Sequence, residues 1–289
     1  MFGAEKNELW VWTELLAFDN TLPDFGVKQY LDEMQRRPDG ISFLTNIDFV
    51  MRHEPMDREI ELPADVCLRF GHTTNGRRDR QPWTNHQVRD LIAELHKYGI
   101  KVVVNIWTKF LNNHFNREFL SDANPEKRGA LIAPMNDGRI MGDVLLEKLA
   151  EMMADYQFDG WHAADNIAAP WCNLISPTDN LIRVFADPEK RPGLPAFLQE
   201  NADHDDEKRL RKLQYLQRFC WREWNDFLLA AWTRFWTKAV ETVHGQGKIL
   251  LVNSPNTKSI FGALQYMNVD YRHLAELGID YLVVETCTT

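Results

Sequence analysis

The run KVVVNIW at 101–107 is apolar on both sides of its alternation. A strand of that kind has to be covered on both faces, which is the usual situation of a strand in a parallel sheet. It is entered directly from a helix. Val88, Leu91, Ile92 and Leu95 recur at helical spacing behind an N-cap at Thr84 or Asn85, and Gly99 closes the turn. A helix feeding straight into a doubly buried strand is half of a parallel crossover unit, so the chain is constrained to the α/β class.

The same alternation recurs along the sequence. LWVWT (9–13) is a short strand, residues 23–36 form a helix stopped by Pro38 and Gly40, and ISFLTNIDF (41–49) is the next strand. Residues 52–82 are polar and turn-rich and read as a long loop. After KVVVNIW come a helix at 141–157 and the strand FDGWHAAD (158–165). The proline-bearing stretch 172–205 opens an excursion that runs to about 246 through a helical tract at 206–244. The acidic run Asp203–Glu207, followed by Lys208, Arg209 and Arg211, marks its start, since acids suit a helix N-terminus. KILLVNS (248–254), a helix at 270–277 stopped by Gly278, and DYLVVET (280–286) complete the series. Six strands alternate with helices, without an internal repeat. The expected architecture is a single domain over 1–289, a (β/α)8 TIM-type barrel lacking its last strands, with a doubly wound sheet as the alternative. The barrel is preferred because polar residues gather at the carboxyl end of nearly every strand, where a barrel brings them to one mouth.

Charge and composition narrow the partners. A formal net charge of −9 without a basic stripe excludes a nucleic-acid surface and suits a neutral substrate. The four cysteines, Cys67, Cys172, Cys220 and Cys287, are far apart and read as free thiols. No basic leader followed by an apolar run precedes the first strand, and no apolar stretch is long enough to span a membrane. A cytoplasmic location is expected, or secretion if a leader has been removed. Of ten tryptophans, Trp10, Trp12, Trp83, Trp107, Trp161 and Trp171 fall at strand ends or in loops, where flat rings suit sugar faces. Trp221, Trp224, Trp232 and Trp236 share one helical tract and read as core.

The strand ends hold the candidate chemistry: Glu14; Asp48, Arg52 and His53; Asn105, Trp107 and Lys109; His162, Asp165 and Asn166; Asn253 and Ser254; and Glu285. Carboxylates and amides dominate. The spacings HxH, HExxH and DxD are missing from these strand ends, as are GxSxG, the P-loop and GxGxxG after a strand, so neither a metal nor a cofactor is expected. Glycosidic cleavage needs two carboxyl groups flanking the bond, and Asp165 and Glu285, each ending an apolar strand, fit that pairing. Trp12 and Trp161, with Glu14, Asp48, Arg52, His53, Asn105, Trp107, Lys109, His162, Asn166 and Asn253, form the expected substrate-binding set.

Four stretches give a family resemblance. DGISFLTNIDFVMRHEPM (39–56), VRDLIAELHKYGIKVVVNIW (88–107), FDGWHAADNI (158–167) and DYLVVET (280–286) are similar, in that order, to segments of glycoside hydrolase family 66, the dextranases and cycloisomaltooligosaccharide glucanotransferases. The resemblance covers about half the chain. It implies Asp165 as nucleophile and Glu285 as general acid/base, a (β/α)8 fold, and retaining cleavage or transfer at α-linked sugar. An α-galactosidase-type exo-glycosidase and a catalytically inactive glycan-binding barrel are the alternatives. The expected partner is a carbohydrate, with no nucleic acid, no membrane and an open oligomeric state.

Overall fold

The computed structural model describes residues 7–62, 81–107, 130–135, 137–164, 179–202, 205–254 and 260–283. Its strands are β1 (Trp10–Thr13), β2 (Gly40–Asn46), β3 (Lys101–Trp107), β4 (Gly160–Ala163), β5 (Ile249–Asn253) and β6 (Tyr281–Val283). All pair in parallel, in the order β1-β2-β3-β4-β5-β6, as one curled sheet. The eight-stranded barrel is therefore replaced by a six-stranded half-barrel in which β1 and β6 are edges. Polar strand ends occur wherever parallel strands deliver their loops to one side, so their presence did not fix the strand number. The order also excludes the doubly wound sheet, whose strand order must reverse. Right-handed crossovers that always step the same way put every crossover helix on one face and leave the other for the inside of the curl.

Alternation assigns the side chains to those faces. Ile41 and Phe43 on β2, Val102, Val104 and Ile106 on β3, Trp161 and Ala163 on β4, and Leu250 and Val252 on β5 all join the main hydrophobic cluster with the helices. Their intervening neighbours, Ser42, Leu44, Val103, Asn105, His162, Leu251 and Asn253, are buried but stand outside that cluster, on the concave face.

The helices are α1 (Val27–Asp32), α2 (Ile47–Met51), α3 (Asn85–Lys97), α4 (Met141–Asp155), α5 (Asp179–Phe185), α6 (Asp206–Phe219), α7 (Trp221–His244), α8 (Ile260–Met267) and α9 (Tyr271–Leu277). Thr84 caps α3 with a full capping box: its hydroxyl accepts from Gln87 N–H while the Gln87 side chain accepts from Thr84 N–H. Strand β2 is shorter than the alternation suggested. The chain turns into α2 at Ile47, because Ile47, Phe49 and Val50 all bury against the helix layer. The long tract at 206–244 breaks at Cys220, and its two halves differ in role. α7 is the crossover helix before β5: Trp236 and Phe235 pack on Trp161, and Arg234 and Lys238 pair with Asp143 of α4. α6 belongs instead to a lobe with α5. There the buried Lys212 ammonium donates to Asp179 Oδ1 at 2.6 Å and to the Glu200 carbonyl.

At the amino ends of the strands one device appears three times. Asp39, Asp159 and Asp280 each stand immediately before an even-numbered strand and reach back to the strand before it. Their Oδ2 atoms accept the N–H of Leu9 at 3.0 Å, Val102 at 2.6 Å and Leu250 at 2.8 Å. Each aspartate N–H also donates to the carbonyl of that same residue. A basic group also donates to the same carboxylate oxygen: Arg36 three residues before Asp39, His96 from the end of α3 for Asp159, and His244 from the end of α7 for Asp280. The glycine after the first two aspartates is steric: a Cβ on Gly40 would lie 2.3 Å from the Trp10 ring, and one on Gly160 2.0 Å from the Ile249 carbonyl. The DG of PDGI and of FDGW is thus a stitch across strand starts, at the amino end of the sheet.

The floor of the curl is closed by residues from the two edges. Trp10 and Tyr281 lie with ring centroids 5.7 Å apart, and Glu8 accepts from Trp10 Nε1–H at 3.0 Å and Tyr281 O–H at 2.8 Å. Those two hydrogen bonds hold the Glu8 carboxyl below its ordinary range. Burial, with the nearby carboxylate, pushes Tyr281 up to about 12.

Burial pushes the Asp159 carboxyl upward, but hydrogen bonds from His96 and Val102 N–H outweigh it, and the net shift is downward. Asp159→Ala is expected to lower unfolding stability by about 1–3 kcal/mol at pH 7, read by urea denaturation. A depressed carboxyl stabilises fully above its unfolded value of about 4 and loses that contribution as pH falls through the folded value. The two stability curves should therefore converge on acidification. A gap that persists unchanged at pH 3 would contradict the stitch.

Candidate functional site

The concave face carries a chain of buried polar side chains contributed by four consecutive strands. Asn105 on β3 and His162 on β4 are register partners. Ser42 lies one inward step earlier on β2, two residues before the Leu44 that pairs with Asn105, and Asn253 one step later on β5. The tilt of a curled sheet brings these staggered positions together. Asn105 Nδ2–H donates to Ser42 Oγ at 2.9 Å, and Ser42 Oγ lies 2.6 Å from His162 Nδ1. His162 Nε2 lies 2.6 Å from Asn253 Oδ1. Asn105 Nδ2 also approaches His162 Nδ1 at 3.2 Å.

These partners fix the proton order. Nδ1 faces a hydroxyl and an amide N–H, both able to donate, whereas Nε2 faces a carbonyl oxygen that only accepts. With the two amides so turned, these contacts suit the tautomer that carries its proton on Nε2. The ring is wholly buried, and both its nitrogens are answered. On its open side stands Trp12 of β1, edge-on to the imidazole at 5.2 Å between centroids and 44% exposed. Among the described residues of this face it is the most exposed large aromatic, Trp10 and Tyr281 at the floor being half-buried.

The structure brings Trp12, Asn105, His162 and Asn253 together, as the sequence suggested, and separates others. Trp161 does not belong with them. It alternates with His162, so it faces the helices, where it is wholly buried against Phe235 and Trp236. Arg52 and His53 follow α2 in the outer layer rather than the mouth. His53 Nε2–H donates to Asp155 Oδ2 at 2.8 Å, and its ring packs on Tyr156. Both line a narrow cavity of about 30 Å³ with Phe49, Glu54 and Leu62. Asp48 sits within α2, and Glu14, half-buried, follows β1. Trp107 is the last residue of β3. Lys109, Asp165, Asn166 and Glu285 lie outside the described residues, as do the side chains of Asp48 and Trp107.

Ser42 was missed, although its signal was present: it is the one hydroxyl at an inward position in ISFL, where a two-sided strand would carry an aliphatic residue. Of the remaining tryptophans, Trp83, Trp224, Trp232 and Trp236 are core, and Trp10 belongs to the floor. Cys220 is a buried free thiol, raised by burial above its ordinary value.

No protein-family model matches the chain, and no curated protein does either. Among the described residues, no cluster of three His, Cys, Asp or Glu side chains is placed to hold a metal ion, and no helix is long and apolar enough to cross a membrane. Among the described residues, what the concave face offers is hydrogen bonding from uncharged side chains beside an aromatic ring, with Glu8 at the floor.

Ser42→Ala removes the atom that Asn105 and His162 share. It is expected to cost about 1–3 kcal/mol of stability with the fold retained. Nitrogen NMR of the wild-type protein at pH 7 should show His162 protonated at Nε2 alone. A ring protonated at Nδ1 would reverse the hydrogen-bond order given above.

Proposed function

We propose that the protein is a glycoside hydrolase that cleaves O-glycosidic bonds of an oligo- or polysaccharide at α-linkages, by a retaining mechanism in which Asp165 is the nucleophile and Glu285 the general acid/base. The observation that carries this reading is the concave face itself. It presents wholly buried neutral hydrogen-bonding groups from β2 to β5, bordered by the exposed ring of Trp12. Ligand sites of parallel α/β sheets lie beyond the carboxyl ends of the strands, where the loops leave. In the sequence, Asp165 follows the end of β4 by two residues and Glu285 follows the end of β6 by two, with β5 between those strands.

In the mechanism proposed, the Asp165 carboxylate attacks the anomeric carbon as the Glu285 carboxyl gives its proton to the departing glycosidic oxygen. The bond to the leaving group breaks and a glycosyl ester of Asp165 forms. Glu285, now a carboxylate, takes a proton from water as that water attacks the same carbon, which releases Asp165 and restores Glu285. The neutral seam supports this chemistry by binding hydroxyls without introducing a competing charge beside the nucleophile.

Hydrolysis of a panel of aryl α-glycosides tests the proposal. Glu285→Gln is expected to lower kcat by about 10²–10⁴ for poor leaving groups, and Asp165→Asn to abolish turnover. Proton NMR of the first product should show the anomeric configuration of the substrate. Unchanged turnover in Asp165→Asn, or an inverted first product, overturns the assignment.

A further inference from the structure

The seam leaves one atom unanswered. Asn105 is wholly buried, and its Oδ1 has no hydrogen-bond partner, although its Nδ2 is used by Ser42 and His162. Turning the amide over exchanges the two atoms and still leaves one of them bare. Other buried polar atoms in the described residues also lack hydrogen-bond partners: the indole N–H groups of Trp83, Trp161 and Trp224 are enclosed in the apolar helix layer, and Arg183 Nε (ion-paired with Asp179), Asn268 Oδ1 and His273 Nε2 belong to α5, the end of α8 and α9 rather than to the sheet. Asn105 is different because its amide lies on the concave face, in the cluster that Trp12 borders. A buried acceptor without a donor costs about as much as a lost hydrogen bond. A molecule that supplied the donor would recover that energy on binding.

We infer that Asn105 determines specificity in this site, its buried Oδ1 accepting a hydroxyl of a neutral, polyhydroxylated ring that packs against Trp12. The sugar class rests on the function proposed above, whereas the requirement for a donor rests on the orphaned oxygen alone. A site built around an unpaired acceptor discriminates against a ligand that lacks the matching hydroxyl far more than an apolar pocket discriminates a methylene. The carboxylates Asp165 and Glu285 would then act on a ring whose orientation is set from β3 and β1.

A protein–ligand cycle tests this. Calorimetry measures binding of methyl α-D-glucopyranoside, methyl α-D-galactopyranoside and their 2-, 3-, 4- and 6-deoxy analogues, with glucose 6-phosphate as the anionic control. The protein is the full chain carrying Asp165→Asn, so that turnover does not interfere. The expected result is binding of one parent glycoside and a loss of about tenfold to a hundredfold for one of its deoxy analogues. That discrimination should vanish on adding Asn105→Leu. Trp12→Ala, at an exposed position that tolerates truncation, should weaken parent and analogue by a common factor and preserve their ratio. If Asn105→Leu does not fold, a single sensitive hydroxyl in the parent protein together with that common loss in Trp12→Ala carries the result. No binding of either parent, tighter binding of glucose 6-phosphate, or equal affinity for all deoxy analogues overturns the inference. The two readings fail separately. Binding with the expected cycle but no wild-type turnover removes only the hydrolase, while turnover with a flat deoxy series removes only the role of Asn105.

Discussion

A parallel strand covered on both faces has no place for a polar side chain unless another side chain answers it, because an unanswered group inside the protein costs as much as several buried methylenes gain. His162 is the extreme case here, wholly buried in the middle of the sheet. Ser42 on one side and Asn253 on the other hold its two nitrogens, and Asn105 holds Ser42. Four strands are therefore bound to one another by side chains as well as by their ladders. Replacing the seam by aliphatic residues would give a simpler core, so its presence on the concave face is the observation on which the proposed site rests.

The two ends of the sheet divide the work. At the amino ends, Asp39, Asp159 and Asp280 stitch the strand starts together, and Glu8 with Trp10 and Tyr281 ties one edge to the other across most of the chain length. These are stabilising contacts made by charged groups close to their partners. Toward the carboxyl ends the inward positions turn neutral, and Trp12 opens to solvent beside them. A rigid base with its chemistry carried beyond it is the common plan of parallel α/β proteins.

Much of this plan was legible. The doubly buried KVVVNIW, the helix before it and the alternation of elements followed from period and capping, which are local. Asn105, His162 and Asn253 stood out as polar residues in apolar strands. The six strands were legible, but the eight-stranded barrel inferred from them was wrong, because strand ends look alike in a half-barrel and a closed barrel. The face of Trp161 was misread for a different reason: a buried aromatic beside a polar residue looks the same from either side until the register is known, and His162 takes the inward position. The DG pairs at 39–40 and 159–160 were visible, but their shared role depends on contacts to the neighbouring strand, which no local pattern reports.

The proposed chemistry depends on one geometric quantity, the separation of the Asp165 and Glu285 carboxyl groups. A crystal structure of the protein with an unreactive substrate analogue measures it. The account predicts about 5–5.5 Å between the carboxyl groups, with the sugar ring over Trp12, as a retaining glycosidase requires. A separation of about 6.5–9.5 Å would contradict retention, and one well beyond that range would remove the pair as the catalytic centre.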